Sequence, residues 1–442
     1  MPYKSLLHFA ALLFVCVPGF AQESQDVWSW AHRTEIRANY RWSQEERLTR
    51  PFPPPSPVTG PTVLATPDPG SHVELNVADL QLDLGYGDWL AARAKVHVAA
   101  KHRRNPTTTD DDIDADELWV RIGQKPEFLE RPDGTSFFVQ AGKFPKMERQ
   151  PVRLLESYGL AATSFNRFED VQLLVGGTIG RNFYWRAQAA NGNPLFMRDP
   201  NALAGDNGVP EQIIEHKAPK LGSGFPILYN AETEDLFFDT SNMQIGEALG
   251  YRWQRENETL GFDVIVFHYK RDLADTVRLT GTEYGGDLDL LVVKGSEVGD
   301  VIDRGLPITP GDDTKEEYGA RLFGEWGNAT AIAQMTWQNI AGLEREGWEL
   351  ELGYRWPMKL GPIESIQPAV RVSNLDNHFI GHPQYPATSV RWDWRKWDAG
   401  VRVGLPHGLD VTLEYTTHAA FSAAGQVPID MTEVLATVRW RM

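Results

Sequence analysis

The strongest constraint on this chain is a strict two-residue alternation of bulky apolar and fully charged side chains. In GWELELGYRW, residues 347–356, one face carries Trp348, Leu350, Leu352, Tyr354 and Trp356, and the other carries Glu349, Glu351 and Arg355. Only an extended strand separates the two sets, because successive side chains of a strand point to opposite faces. WDAGVRVGL sets Trp397, Ala399, Val401, Val403 and Leu405 against Asp398 and Arg402, and LDVTLEYTTH sets Leu409, Val411, Leu413 and Tyr415 against Asp410, Thr412, Glu414 and His418. Beyond the first residues, no apolar run reaches the ~18 that a spanning helix needs. If such a chain crosses a membrane, it does so as a closed barrel, because open sheet edges are not tolerated in lipid.

Residues 90–101, LAARAKVHVAAK, test the rule, because their alanines favour a helix. Read with period two, Leu90, Ala92, Ala94, Val96, Val98 and Ala100 share one face, and Arg93, Lys95, His97 and Lys101 share the other. The neighbours decide for the strand. LQLDLGY ends in the two-residue turn Gly87-Asp88, and its Leu80, Leu82, Leu84 and Tyr86 oppose Gln81 and Asp83. Near the start, Thr34, Ile36, Ala38, Tyr40 and Trp42 oppose Arg33, Glu35, Arg37, Asn39 and Arg41.

A soluble sandwich also alternates, so the period alone does not imply lipid. Aromatic residues, however, close the apolar faces at Tyr40/Trp42, Trp348/Trp356 and Trp440, where a membrane-interface girdle would lie. Sixteen segments of about ten residues, the length a tilted strand needs to span a bilayer, fit the pattern. They lie near 30–42, 72–86, 89–101, 114–123, 135–144, 168–179, 182–191, 244–255, 259–270, 317–326, 329–339, 347–356, 365–375, 390–405, 409–418 and 432–442. Even-numbered connections are mostly short, with KPEFLERPDG an exception of intermediate length. Odd-numbered ones include the proline-rich 51–69, the acidic 102–113, and 145–167, 192–243 and 271–316. The expected fold class is all-β, a single antiparallel transmembrane barrel of sixteen to eighteen strands with short turns at one rim and long loops at the other. Residues 284–294 are taken as loop, because a lone extra strand would break the even count.

Residues 1–21 read as a secretory signal peptide: Lys4, the apolar LLHFAALLFVCV, and Gly19-Phe20-Ala21 before Gln22. Cys16, the single cysteine, lies within it, so the expected mature chain, 22–442, has no disulfide, thiol nucleophile or haem attachment site. The whole-chain net charge of −17 becomes −18 without Lys4. Acids bunch at Asp110-Asp111-Asp112, Asp114 and Asp116, at Glu232, Glu234 and Asp235, and at Asp312, Asp313, Glu316 and Glu317, and are read as solvated loops. A metal-binding outer loop is the sharper alternative.

Residues 135–194 add a resemblance. Gly142-Lys143-Phe144 at the end of a strand, then Pro145, an Arg- and Glu-bearing loop, and a glycine-rich strand pair closing on Asn191-Gly192-Asn193 resemble the phosphate-selective porin O and P family. The resemblance covers about sixty residues and implies a sixteen-stranded outer-membrane barrel with inward-folded loops, anion binding through basic side chains, and a homotrimer. The alginate-export barrels rank second. They share the rhythm from Asp114 to Gly123 and then Gly142, but usually carry Gly-Arg-Gln where this chain has Gly142-Lys143-Phe144. The chain also ends in Met442 where such barrels favour Phe, although Trp440 shares its face.

On a barrel, inward charges set the field, and basic rings favour anions. The expected lining and selectivity residues are Arg37, Arg93, Lys95, Lys101, Lys146, Arg149, Arg153 and Arg167, with 145–167 as a constriction loop. The counter-reading is charge pairing, since Glu35, Asp79, Asp83, Glu117, Glu349, Glu351 and Glu414 face the same way. No His-Glu-x-x-His or His-x-His pattern is present, and Glu169 and Asp170 are adjacent on a strand and point apart, so an enzyme, a metal centre and a cofactor are not expected. The function expected is passive diffusion of small polar or anionic solutes across a bacterial outer membrane. Polysaccharide export is the alternative, and a receptor or adhesin the third reading. The expected partners are outer-membrane lipid and small hydrophilic solutes, with no nucleic acid.

Overall fold

The computed structural model describes residues 27–44, 47–50, 62–65, 70–98, 113–126, 129, 134–165, 169–192, 222–223, 243–255, 260–272, 276–283, 286–293, 314–340, 343–378, 393–421 and 428–442. Sixteen antiparallel strands follow one another around a ring. They are β1 (Trp28–Ser43), β2 (Gly70–Tyr86), β3 (Leu90–Val98), β4 (Ile113–Gly123), β5 (Ser136–Pro145), β6 (Glu169–Ile179), β7 (Phe183–Ala190) and β8 (Gln244–Gln254). Then come β9 (Leu260–Asp272), β10 (Thr314–Trp326), β11 (Ala329–Ile340), β12 (Leu343–Tyr354, continued by Trp356–Leu360), β13 (Ile363–Asn377), β14 (Asp393–Gly404), β15 (Leu409–Phe421) and β16 (Pro428–Arg441). Each strand pairs with its neighbours in sequence, and β1 pairs with β16 to close the ring. Met442 joins the closing ladder through two 2.9 Å backbone hydrogen bonds with Thr34.

All sixteen expected strands are present. LAARAKVHV is β3, joined to β2 by the turn at 87–89, with Gly87 at φ 54°. Lys101, Arg167, residues 1–21 and the acidic stretches at 110–112, 232–235 and 312–313 lie outside the described residues. Residues 286–293 pair with 276–283 as a hairpin and, among the described residues, with nothing in the ring. The loop reading of the acidic clusters fails where they are described: Asp114 and Asp116 lie on β4, Glu316 and Glu317 lie on β10, and Glu317 is an inward side chain only 1% exposed.

The alternation sorts as read. Leu350, Leu352, Val401, Leu413 and Val438 are exposed on the outer face, while Glu349, Glu351, Asp398 and Glu414 are buried inside. Aromatics ring the short-turn rim: Trp28 meets Tyr86 with centroids 4.8 Å apart, Phe183 meets Tyr251 at 4.9 Å, and Tyr354 meets Trp356 at 5.1 Å. β9 departs from the pattern. Phe262 and Val266 face out, but Ile265, Phe267 and Tyr269 face in and are buried. A run apolar on both faces is what a doubly covered strand shows, and the inner cover is a cluster with Phe138, Phe144, Met147, Leu174, Tyr184 and Ala248.

Candidate functional site

The segment after β5 folds into the barrel and carries α1 (Leu160–Phe165). Its apolar residues dock on the inner wall in two places. Leu154 and Leu155 join Phe323, Ile332 and Ala369, and Leu160, Ala161 and Phe165 of α1 join Leu375, Trp394 and Met431. Its backbone would otherwise carry unpaired N–H groups into a closed space. Wall carboxylates accept them: Glu351 from Leu154 and Leu155, Glu414 from Glu156 and Ser157, and Glu349 from Ala162. Ser373 Oγ accepts from Leu160 N at 3.3 Å. Guanidiniums hold the carbonyls. Arg371 donates to Ser157 O at 2.9 Å, Arg345 to Ser164 O at 2.6 Å and Arg321 to Arg149 O at 2.8 Å.

One residue of the segment adds a counter-charge to wall arginines that Asp410 also pairs. The Glu156 carboxylate receives Arg402 at 2.6 Å and Arg439 at 2.7 Å, with Arg37 at 3.8 Å. Burial pushes its pKa up, but the attraction of Arg439, Arg402, Arg153 and Arg37 outweighs burial and holds it at about 2. At the segment's start, Lys146 donates to Glu317 at 3.2 Å and to Phe165 O at 3.1 Å. Burial disfavours its charge, but Glu317 and Glu148 overcome that and raise its pKa. Burial pushes the neighbouring Glu148 up, against the opposing pull of Lys146 and of the Tyr269 hydroxyl that donates to it.

The segment leaves an interior cavity of about 650 Å³ walled by itself and by side chains from β2 to β8 and β11. Nine basic side chains reach it (Arg93, Lys95, Arg121, Lys125, Lys146, Arg149, Arg153, Arg186 and Arg252) against four acidic ones, Asp83, Asp116, Glu117 and Glu169. The cavity wall is thus basic in a chain whose net charge is −17.

Of the residues expected from the sequence, Arg93, Lys95, Lys146, Arg149 and Arg153 meet at this cavity. Arg37 lies apart, at Glu35 (2.6 Å) and Glu156. Many of the bases are paired. Arg93 binds Asp83 at 2.6 Å and Glu117 at 3.4 Å, Lys95 binds Asp79 at 3.1 Å and also Asp116, and Arg149 binds Glu169. Asp114, from the acidic run, accepts from Lys143 at 3.1 Å. Arg153 differs. Its guanidinium lies 4.1 Å from the centroid of Tyr158 and donates to Glu156 O at 3.2 Å, with no carboxylate in ion-pair range among the described residues. Burial pushes the Tyr158 phenol up, but Arg153, Arg37 and Arg149 outweigh it and lower its pKa.

Sequence reasoning missed Arg121, Lys125, Arg186 and Arg252, and it missed Trp119. The same alternation places Trp119 and Arg121 inward on β4, because Leu118 and Val120 are exposed outward. Gly142 of the family-like motif has a physical reason. Its φ is 130°, and a Cβ there would sit 2.1 Å from Leu118 O, so β4 and β5 could not approach as they do.

No family model matches this chain, and no curated protein matches it. Solved structures do. OprB of Pseudomonas putida, determined at high pH, is similar with a TM-score of 0.50 and 9% identity, over 93% of this chain and 94% of that one. The outer-membrane channel DcaP of Acinetobacter baumannii gives 0.49 and 8%, over 95% and 99%. An anion-selective porin from Comamonas acidovorans gives 0.45 and 10%, over 94% and 100%. At these identities the likeness is one of fold, and the fold is a porin-type barrel.

Proposed function

We propose that this chain is a bacterial outer-membrane porin through which small anionic solutes diffuse passively. The observation that carries the reading is the basic cavity, nine basic side chains against four acidic, inside an acidic chain. Electrostatic focusing in a narrow, water-filled passage concentrates ions of the opposite sign, whatever the sign of the outer loops. The inward segment, 145–167 in the sequence reading, is the constriction, and Arg93, Lys95, Arg149 and Arg153 supply the selecting field.

The exposed apolar belt and aromatic rim support an outer-membrane location, with residues 1–21 cleaved on export and 22–442 retained. Within porins, Gly142-Lys143-Phe144 and Asn191-Gly192-Asn193 favour the phosphate-selective O and P type, and a homotrimer with it. The deciding experiment is reconstitution in planar bilayers under a salt gradient. Stepwise open-state currents with a reversal potential on the anion side are expected. Currents that reverse on the cation side would overturn the assignment of anions, and the absence of any conductance would overturn the porin.

A further inference from the structure

We infer that the cavity is shaped for organic carboxylates with a flat apolar body, the arylcarboxylate class, in preference to inorganic anions. The inference rests on the anion-passage reading and narrows it.

The wall is chemically two-sided. On one side an apolar patch borders the water space. Phe144, Met147 and Leu174 belong to the buried inner cluster, and Trp119 packs against it and lines the cavity with them. The indole is held in place. Its Nε1–H donates to Glu117 at 3.0 Å, and the guanidinium carbons of Arg93 and Arg121 lie 5.4 and 5.6 Å from its ring centroid. An inorganic anion gains nothing from such a surface, whereas an aryl ring gains from burial and from ring–ring contact. On the other side the inward segment presents Val152, 44% exposed, and Arg153 laid over Tyr158. A stacked guanidinium keeps its edge N–H groups free to meet a carboxylate in the ring plane. Arg153 is also a cavity base with no described carboxylate in ion-pair range, so its charge is open to a solute. About 650 Å³ lies within the range of small-molecule sites.

The test uses the full mature chain in planar bilayers, with chloride as the current carrier and benzoate, acetate or phosphate added. Benzoate is expected to reduce the chloride current at concentrations about three- to tenfold below those at which acetate does. Trp119→Ala should remove that difference, while Trp119→Phe should keep most of it. Equal block by benzoate and acetate in the unmodified protein overturns the inference and leaves anion passage standing. A benzoate preference unaffected by Trp119→Ala overturns the assigned wall. Absence of current overturns the porin reading and the inference together. The benzoate-to-acetate comparison in the unmodified protein needs no variant to fold.

Discussion

The two halves of the barrel interior carry similar side chains and put them to different uses. Along β10 to β15, Arg321, Arg345, Glu349, Glu351, Arg371, Asp398 and Glu414 are 1–2% exposed and hold the inward segment. Along β2 to β4, Asp83, Arg93, Lys95 and Glu117 keep side-chain exposures of 15–30% and border the cavity. Charges in the first half are desolvated and bound to backbone as well as to one another. Those in the second half keep water and keep a field. An inward charge on a barrel strand is therefore no indication by itself of a solute path, because what covers it decides.

The largest expected effect sets one half against the other. Arg371 donates to Ser157 O at 2.9 Å, Ser157 Oγ at 2.8 Å, Asp398 at 2.9 Å and Glu351 at 3.2 Å. Arg371→Ala should cost about 3–5 kcal/mol, because it strands buried carboxylates, and should release the inward segment. Arg93→Ala, at 30% side-chain exposure, should cost under about 1 kcal/mol. Thermal unfolding in detergent, followed by gel mobility, compares the two. Equal losses would erase the distinction.

Glu156 joins the halves, since a residue of the segment neutralises Arg402 and Arg439 on the wall. Its folded pKa of about 2 lies below the ordinary 4.5. The associated stability is complete above pH ~4.5 and is lost as pH falls toward ~2, amounting to at most about 3 kcal/mol. Glu156→Gln should abolish that part of the acid dependence of unfolding between about pH 5 and pH 2. It should also move the reversal potential further toward anions by removing one of the two carboxylates, Glu156 and Asp410, that face Arg402 and Arg439. A variant with the parent's acid profile would remove Glu156 from the anchor.

A smaller change is expected from the cavity side. Neutralising Arg149 and Arg153 together, as Gln, should lower the anion-over-cation permeability ratio on the order of threefold while leaving the unfolding midpoint nearly unchanged. An unchanged reversal potential would show that neither residue contributes to the selecting field.

The sequence made the strands legible because each must keep one apolar face and one polar face over about ten residues, and GWELELGYRW or LDVTLEYTTH permits no other period. It also placed five cavity residues, because Arg93 and Lys95 follow from strand parity and Lys146, Arg149 and Arg153 from the inward-folding loop that the family resemblance implied. What it could not convey is partnership across the interior. Glu351 and Leu154 are 197 positions apart, and nothing in either neighbourhood marks a wall glutamate as the acceptor for a loop backbone. Two signals were present and unused. Trp119 shares the parity of Glu117 and Arg121, and the doubly apolar run of β9 marks a strand covered on both sides.

The mildest probe is salt, and it tests both halves in one sample. Raising ionic strength from 0.1 to 1 M shortens the screening length from about 10 to about 3 Å. The pairs around the cavity are partly exposed, so their field on a passing ion should weaken, and anion preference should fall steadily across that range. The contacts of Arg371 and Glu351 are 1–2% exposed and admit no counter-ions between them, so the unfolding midpoint should shift little over the same range. Selectivity and stability would then part company in one titration. If both fall together, the anchoring half is wetter than its burial implies and belongs to the same screened network as the cavity. If neither falls, the cavity bases are fully neutralised by Asp83, Asp116, Glu117 and Glu169, and the field that favours anions has another source.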